Sequence, residues 1–124
     1  MDATLYDRVG GMAFFGRLVD AFYRAVEHDE LLRPMYPEVL AESKTHLTMF
    51  LAQYWGGPHD YMDQRGHPRL RLRHQPFRIT KAARDAWLAA MRSALESVRG
   101  DLSEEEFAQM DSYFEMSANQ LRNV

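Results

Sequence analysis

The chain has 124 residues and a formal net charge of −3, and its length is typical of one domain. It contains no cysteine, which excludes disulfides, thiolate chemistry and sites in which cysteine binds zinc or an iron–sulfur cluster. The slightly acidic balance gives no overall attraction to nucleic acid or anionic membranes, and no apolar stretch is long enough to span a bilayer.

Residues 1–7 have neither the basic patch nor the apolar run of a signal peptide, so we expect a cytoplasmic protein. No repeat, low-complexity stretch or change of composition marks a boundary along the chain. Residues 1–124 are therefore predicted to form a single domain.

Apolar residues recur at helical spacing in four segments. The first follows the glycine pair at 10–11 and the second covers about 41–54. The third begins at the N-cap Thr80 and ends at Gly100, and the fourth opens with a capping box at 103–106. An all-α fold follows, with inward faces expected to be Phe15, Leu18, Val19, Phe22, Tyr23 and Val26; Leu47, Phe50, Leu51 and Tyr54; Trp87, Leu88, Met91, Leu95 and Val98; and Phe107, Met110, Phe114, Ser117 and Leu121.

A long, arginine-rich connection separates the second and third helices. Residues 56–79 contain three clusters of Gly or Pro, five arginines and three histidines. Connections of this length in compact domains are usually functional or disordered. Leu70, His74 and Phe77 are spaced as one face of a short helix, whereas the alternation of Leu and Arg at 70–73 would suit a strand. We favour the helix, because no second strand is available for pairing.

His74 is the candidate metal ligand in this connection. Zinc would need three or four clustered ligands, and the five histidines include no pair spaced four apart. Haem needs only one protein ligand, which a single histidine can supply. A lone histidine is more often exposed or hydrogen-bonded than bound to a metal, so the residue by itself leaves both alternatives open.

The arginines around His74 also allow two interpretations. Arg73 could pair with a haem propionate, because a guanidinium binds carboxylates well, or it could be a solvated surface charge. The basic run at 65–78 could instead contact a phosphate backbone. Its few aromatic residues and the acidic net charge of the chain argue against a nucleic acid partner.

Three bulky rings, those of Tyr23, Tyr36 and Trp87, end in a hydrogen-bond donor. If they converge they form a polar pocket for a small ligand, although each one singly is more often a core ring. Ser43, on the inward face of the second helix, either fills a tight helix crossing or leaves space for a ligand. His46 lies about 100° around that helix from Leu47, at the margin of the inward face, and is expected to meet water or the edge of a ligand.

Residues 22–23, 32–37, 49–58, 64–77 and 84–88 resemble the truncated haemoglobins of group II, the O type, and in particular their actinobacterial members. The Tyr-Trp-Gly-Gly-Pro block that ends at Pro58 and the Arg-His-Gln-Pro-Phe block that ends at Phe77 are the most specific matches. The resemblance covers nearly the whole chain. It implies a truncated globin fold, the two-over-two helical sandwich, enclosing one haem b.

The resemblance also implies roles for individual residues. His74 corresponds to the proximal iron ligand, and Tyr23, Tyr36 and Trp87 correspond to distal hydrogen-bond donors to the haem ligand. Ser43 aligns within one residue of the position that carries His or Gln in many globins, so no distal side chain is expected to coordinate. The propionates are expected to meet Arg73, with His46, Tyr61 and Lys44 as weaker candidates, and the apolar walls are expected from Leu47, Phe50, Leu70, Phe77 and Met91.

Together these features predict a haem protein that reversibly binds dioxygen, carbon monoxide or nitric oxide on ferrous iron. The same donors could serve a redox enzyme that reduces peroxide or converts dioxygen and nitric oxide to nitrate, because both uses stabilise negative charge on ligand oxygen. No nucleophile or phosphate-binding motif is present, so no catalytic residue is assigned. A haem-free helical interaction module is the alternative of another class. A reductase and a second copy of the chain are the candidate protein partners.

Overall fold

The computed structural model describes residues 3–70, 74 and 77–124. Leu70 and His74 have helical backbone, and two short 3₁₀ turns lie at Arg33–Met35 and Arg99–Asp101. None of the described helices is long and apolar enough to cross a membrane. The longer helical elements are α1 (Leu5–Val9), α2 (Met12–Glu27), α3 (Ala41–Tyr54), α4 (Asp60–Arg65), α5 (Lys81–Ser97) and α6 (Glu104–Leu121).

Side-chain caps fix where the helices begin. The Thr80 hydroxyl accepts a hydrogen bond from the Ala83 N–H at 3.1 Å, as predicted for the start of α5. The capping box predicted for α6 is confirmed, with the Ser103 hydroxyl and the Glu106 carboxylate each accepting from the other residue's N–H. The prediction that Gly100 ends the third helix is wrong. The helix stops at Ser97, because the chain tightens into the 3₁₀ turn at Arg99–Asp101 and closes it with a hydrogen bond from the N–H of the following leucine.

The Tyr-Trp-Gly-Gly-Pro block is the turn at which α1 is fixed to the end of α3. The Tyr6 N–H donates to the Trp55 carbonyl at 3.0 Å. A Cβ on Gly57 would lie 2.7 Å from the Tyr6 ring and 2.8 Å from the Ala52 carbonyl oxygen. Only glycine therefore allows this close approach.

Two pairs of helices form the body of the fold. Helix α2 packs on α3, α5 packs on α6, and α2 also packs on α5, which joins the two pairs; α4 lies against α3. The inward faces predicted for α2 and α5 are buried except for a partly buried Trp87, and α6 buries Met110 and Phe114. These apolar residues form one core, which supplies most of the stability of helices of this length.

Helix α3 departs from the prediction. Of its expected inward residues Leu51 is fully buried, Leu47 and Phe50 are partly buried, and Tyr54 is 51% exposed. The Tyr54 ring packs on the Tyr113 ring of α6, with centroids 4.1 Å apart, and its outer side faces solvent. The inner face of α3 borders a cavity over much of its length, so it has less helix surface to pack against.

Candidate functional site

Two adjoining cavities lie at the meeting of the two helix pairs. The larger has a volume of about 350 Å³ and the smaller about 160 Å³. Tyr36, His74, Trp87 and Leu121 line both of them, so the two cavities meet at these side chains. Their combined space is of the order expected for a cofactor pocket, which is roughly 300–1,000 Å³.

The imidazole of His74 is oriented by a backbone carbonyl four residues earlier. Its Nδ1 lies 2.7 Å from the carbonyl oxygen of Leu70. A carbonyl only accepts, so Nδ1 carries the proton and donates it, which leaves the lone pair of Nε2 free. Histidines that bind metals usually have this second hydrogen bond, because it fixes the tautomer and the ring orientation. His74 therefore fits the role of an axial ligand to haem iron.

The three polar rings converge, which the sequence had left open. Tyr36 and Trp87 line both cavities, and Tyr23 lines the smaller one. The rings of Tyr23 and Tyr36 meet edge to face, with centroids 5.5 Å apart. The Tyr36 hydroxyl is hydrogen-bonded to Trp87, and the Tyr23 hydroxyl is hydrogen-bonded to Ser43. Ser43 itself lines the larger cavity, so a small residue at this position leaves open space.

Burial keeps both tyrosines protonated. It raises the pKa of Tyr36 to about 12, although the hydrogen bond with Trp87 works in the opposite direction. Burial also raises the pKa of Tyr23, negative charge on Tyr36 would raise it further, and the hydrogen bond with Ser43 lowers it. At neutral pH each hydroxyl is therefore an O–H that can donate to a ligand.

The predicted apolar residues all border the cavities. Leu47, Phe50, Leu70 and Met91 line the smaller cavity. Phe77 lines the larger one and is 44% exposed, so it lies at the mouth. The sequence analysis had given no site role to the remaining apolar wall of the larger cavity, which consists of Leu32, Met35, Ile79, Ala83, Ala118 and Leu121.

Two arginines at the larger cavity, Arg65 and Arg84, were missed by the sequence analysis. In the sequence, Arg65 is distinguished only as part of the basic run at 65–78. Arg84 donates to the Asn119 side-chain oxygen at 2.8 Å and to the Asp85 carboxylate at 2.7 Å. Nothing in the helical spacing of Arg84 distinguishes it from an ordinary surface residue of α5.

The weaker propionate candidates lie outside both cavity linings. A ring nitrogen of His46 accepts from the Arg65 guanidinium at 3.1 Å, and the Tyr61 ring lies 5.9 Å below that guanidinium. His46 and Tyr61 therefore contact the site through Arg65. Lys44 lies 3.9 Å from the Asp20 carboxylate. The strongest candidate, Arg73, lies outside the described residues.

Asn123 fixes the chain segment that follows His74. Its side-chain oxygen accepts from the Ile79 N–H at 2.8 Å, and its side-chain nitrogen donates to the Phe77 carbonyl at 2.9 Å. Its own N–H donates to the Ile79 carbonyl at 3.0 Å. These three bonds tie the wall of the larger cavity to the residues after α6, and no sequence pattern had indicated them.

The residues present fit haem. The site combines an imidazole with a free Nε2, apolar walls, arginines at one cavity and polar O–H and N–H groups. A single imidazole is sufficient to hold a haem iron. In the described part of the chain, no group of three or more His, Asp or Glu side chains is arranged to bind a metal ion by itself.

Comparisons with known proteins agree with this chemistry. Residues 4–120 match the model of the bacterial-like globin family. The chain is 41% identical to the group 2 truncated hemoglobin YjbI of Bacillus subtilis, over 82% of this chain and 78% of the relative. It superposes on the haemoglobin of the actinobacterium Thermobifida fusca with a TM-score of 0.95 and 44% identity, covering 98% of each chain. The truncated oxygen-avid haemoglobin of Bacillus subtilis gives a TM-score of 0.90 at 37% identity, covering 98% of this chain and 100% of that one.

These likenesses confirm the predicted truncated globin fold, in which the α2–α3 and α5–α6 pairs are the two layers of the sandwich. They also confirm haem b as the cofactor and disfavour a haem-free interaction module. Binding of diatomic gases follows at this general level from the haem and the family. The chain belongs to the bacterial-like globin family, among the group II truncated haemoglobins.

Proposed function

We propose that this protein reversibly binds dioxygen on ferrous haem b, with His74 as the axial ligand and a polar distal pocket. The observation that carries the proposal is that His74, Tyr36 and Trp87 line the same two cavities. When bound, haem b supplies a ferrous iron that takes one protein ligand and leaves a position for a diatomic gas. The similarity to the truncated oxygen-avid haemoglobin of Bacillus subtilis supports dioxygen as that gas.

His74 holds the cofactor through Nε2. The hydrogen bond from Nδ1 to the Leu70 carbonyl keeps Nε2 unprotonated and makes the imidazole a better donor to a metal. Because Leu70 is only four residues away along the chain, the orientation of the ring does not depend on a distant contact.

Tyr23, Tyr36 and Trp87 stabilise dioxygen through hydrogen bonds. Ferrous haem would place partial negative charge on the outer oxygen of dioxygen, and hydrogen-bond donors aimed at such charge in a dry site act strongly. The raised pKa values of both tyrosines keep these donors protonated. Carbon monoxide is less polar, so the same donors favour dioxygen over carbon monoxide.

Ser43 leaves the gas side free of a coordinating side chain. Its hydroxyl is engaged with Tyr23, and a serine at this place on α3 does not reach toward a metal as histidine does. Ligand-free ferrous protein is therefore expected to be mainly five-coordinate. A dominant six-coordinate ferrous spectrum at neutral pH would contradict this part of the proposal.

The haem propionates meet guanidinium groups in this proposal. Arg65 and Arg84 border the larger cavity, and His46 and Tyr61 hold Arg65 in place. Arg73 is the further candidate from the sequence. Lys44 ranks below Arg65 and Arg84, because it lines neither of the two cavities.

At the level of the whole molecule, we propose that residues 1–124 act as one truncated globin domain in the cytoplasm. The support for a protein partner is chemical: reversible dioxygen binding needs ferrous iron, so a reductase must restore iron that has been oxidised. A second copy of the chain remains the other proposed partner.

Stopped-flow release of dioxygen from the reconstituted ferrous protein tests the proposal. The expected result is a histidine-ligated spectrum and slow dioxygen release that accelerates when Trp87 is replaced by Phe. A haem spectrum that survives His74→Ala with an intact five-coordinate histidine signature would remove His74 from its role. Release at the wild-type rate in Trp87→Phe would contradict the proposal that a polar pocket stabilises bound dioxygen.

A further inference from the structure

Tyr36 differs from the other two polar rings because it is not on a long helix. It follows the 3₁₀ turn at Arg33–Met35, in extended backbone with φ −115° and ψ 156°. The loop from 28 to 40 is fixed at its start by Asp29, whose carboxylate oxygen accepts from the Leu31 and Leu32 N–H groups at 2.9 Å each. That contact lies too early in the loop to hold Tyr36.

The guanidinium of Arg33 spans the backbone that carries Tyr36. Nη1 donates to the Pro37 carbonyl at 2.9 Å and to the Tyr36 carbonyl at 3.4 Å, and Nη2 donates to the Glu38 carbonyl at 2.7 Å. The Tyr36 N–H donates in turn to the Arg33 carbonyl at 3.2 Å. One side chain therefore contacts three successive carbonyls and closes a ring of hydrogen bonds around Tyr36.

This arrangement needs arginine in particular. The planar guanidinium presents five N–H donors in a fixed fork, so it can serve neighbouring carbonyls at the same time. A lysine ammonium is a compact charge on a flexible stem and would reach one of these carbonyls without holding the others in register. Arg33 thus restrains the loop through geometry as well as through charge.

We propose that Arg33 is a positioning residue for dioxygen binding, which holds the Tyr36 hydroxyl in the ligand cavity by fixing the backbone from Tyr36 to Glu38. The inference rests on the proposed donor role of Tyr36. The hydroxyl bonds with Trp87, and the ring packs edge to face on Tyr23 at 5.5 Å. A shift of the loop backbone would move that O–H, whereas Tyr23 and Trp87 are held by α2 and α5.

Dioxygen and carbon monoxide off-rates of Arg33→Ala, Tyr36→Phe and the double variant test the inference. We expect Arg33→Ala to raise the dioxygen off-rate about threefold to tenfold, as for the loss of one hydrogen bond. The carbon monoxide off-rate should change less than about twofold, because that ligand is less polar. In the Tyr36→Phe background, Arg33→Ala should add nothing further.

Two further variants separate the geometry of Arg33 from its charge and control for the loss of an exposed arginine. Arg33→Lys retains the charge but loses the fork, so its dioxygen off-rate should lie between wild type and Arg33→Ala; it also serves if the alanine variant does not fold. Arg17→Ala is the matched control, because Arg17 is an exposed arginine of α2 that pairs with Asp101 at 3.1 Å, and its off-rates should stay at wild type.

The outcomes distinguish the positioning role of Arg33 from the proposed donor role of Tyr36. An equal rise in both off-rates, or the same rise in the Tyr36→Phe background, would mean that Arg33 stabilises the pocket in general and would overturn the inference. A faster release in Tyr36→Phe but not in Arg33→Ala or Arg33→Lys would overturn it while leaving the proposed function intact. Wild-type release in Tyr36→Phe would remove the donor role itself, and the inference with it.

Discussion

Tyr23 and Trp87 project from α2 and α5, long helices whose inner faces form the core, whereas His74 lies in the connection between α4 and α5, which is rich in Gly, Pro and Arg. We call the first group, with Tyr36, the distal side. We call Leu70, His74 and residues 77–79 the proximal side. Tyr23 is only 3% exposed, while His74 is partly buried and Phe77 is 44% exposed.

The difference follows from what each side must do. Hydrogen bonds to a small gas depend on distance and direction, so their donors are best carried by elements that the core makes rigid. The bond between a histidine and a metal is strong enough to help order the chain that carries it, because binding free energy contributes to folding. We therefore expect the bond from His74 to the cofactor to help order the proximal side, whereas Tyr23 on the distal side is already held in the core.

Both sides use a side chain to hold non-helical backbone. Arg33 binds the carbonyls of residues 36–38 on the distal side, and Asn123 bridges Phe77 and Ile79 on the proximal side. Backbone N–H and C=O groups outside helices have no intrahelical partner, so a side-chain hydrogen bond can fix where they lie. Each of the two residues thus sets the position of a site segment without lining a cavity itself.

The largest effect should come from the proximal ligand. His74→Ala removes the only described imidazole at the cavities, so haem content after reconstitution should fall to a small fraction of wild type. The matched control is His28→Ala. His28 makes the same type of bond, from Nδ1 to the carbonyl four residues earlier at 2.8 Å, but it is exposed on the surface. Equal haem loss in both variants would contradict the assignment.

A distal donor should have the next largest effect. Trp87→Phe should raise the dioxygen off-rate at least about tenfold, because a hydrogen bond to a charged acceptor contributes about 1.5–3 kcal/mol and 1.4 kcal/mol is about a factor of ten. Tyr23→Phe should do less, since Tyr36 can substitute, and the double variant should be non-additive. Stopped-flow displacement by carbon monoxide measures these rates.

Trp55→Phe is the matched control for the distal side. Trp55 is buried among Phe15, Tyr113 and Phe114 but belongs to neither cavity lining. It should lower the thermal midpoint while leaving dioxygen release unchanged. If both tryptophan variants change stability and neither changes release, Trp87 is only a core ring.

The arginines proposed to meet the propionates should have a smaller effect on haem retention. Arg65→Ala and Arg73→Ala are each expected to speed haem transfer to an acceptor globin about threefold to tenfold, because charge-assisted pairs weaken when solvent reaches them. Arg92→Ala serves as the control, since Arg92 pairs with Asp111 at 2.8 Å away from both cavities. Haem transfer at the wild-type rate in Arg65→Ala would exclude a propionate contact there.

Asn123→Ala should affect the proximal side mildly. Loss of its bonds to Phe77 and Ile79 loosens the wall next to His74, so haem transfer should speed up about twofold to fivefold while dioxygen release stays near wild type. Arg122→Ala, which removes only a bond to the Val124 carbonyl, is the neighbouring control. If Asn123→Ala changed dioxygen release as much as Trp87→Phe does, the idea that the proximal and distal sides act separately would be contradicted.

The smallest effect concerns alkaline stability. The pKa of Tyr36 is raised by burial from 10.0 to about 12, so between these values the unfolded chain loses a proton that the folded chain keeps. The contribution of Tyr36 to stability is thus fully present below pH 10 and is lost as the pH rises toward 12. Urea midpoints measured from pH 9 to 11 should fall less steeply in Tyr36→Phe than in wild type. Parallel slopes would contradict this.

The sequence by itself determined the four long helices and supplied the candidate residues of the site. Periodicity and caps placed α2, α3, α5 and α6, because amphipathic spacing and capping residues act within a few turns of the chain. It also offered His74 and the three polar rings as candidates, and the resemblance to the truncated haemoglobins gave them their proposed roles. The short helices α1 and α4 were not predicted, since segments of five or six residues carry too little periodicity.

The tertiary structure decided which residues meet. Tyr36, His74 and Trp87 come from a loop, the connection between α4 and α5, and α5, and no local pattern links them. Only the packing of the helix pairs brings them to the same cavities. Arg33 and Asn123 bind backbone carbonyls and N–H groups, which nearly all residues carry. The sequence therefore cannot indicate which residues they bind. The chemistry of each side chain follows from the residue itself, whereas the meeting of these side chains at one site depends on contacts between segments far apart along the chain.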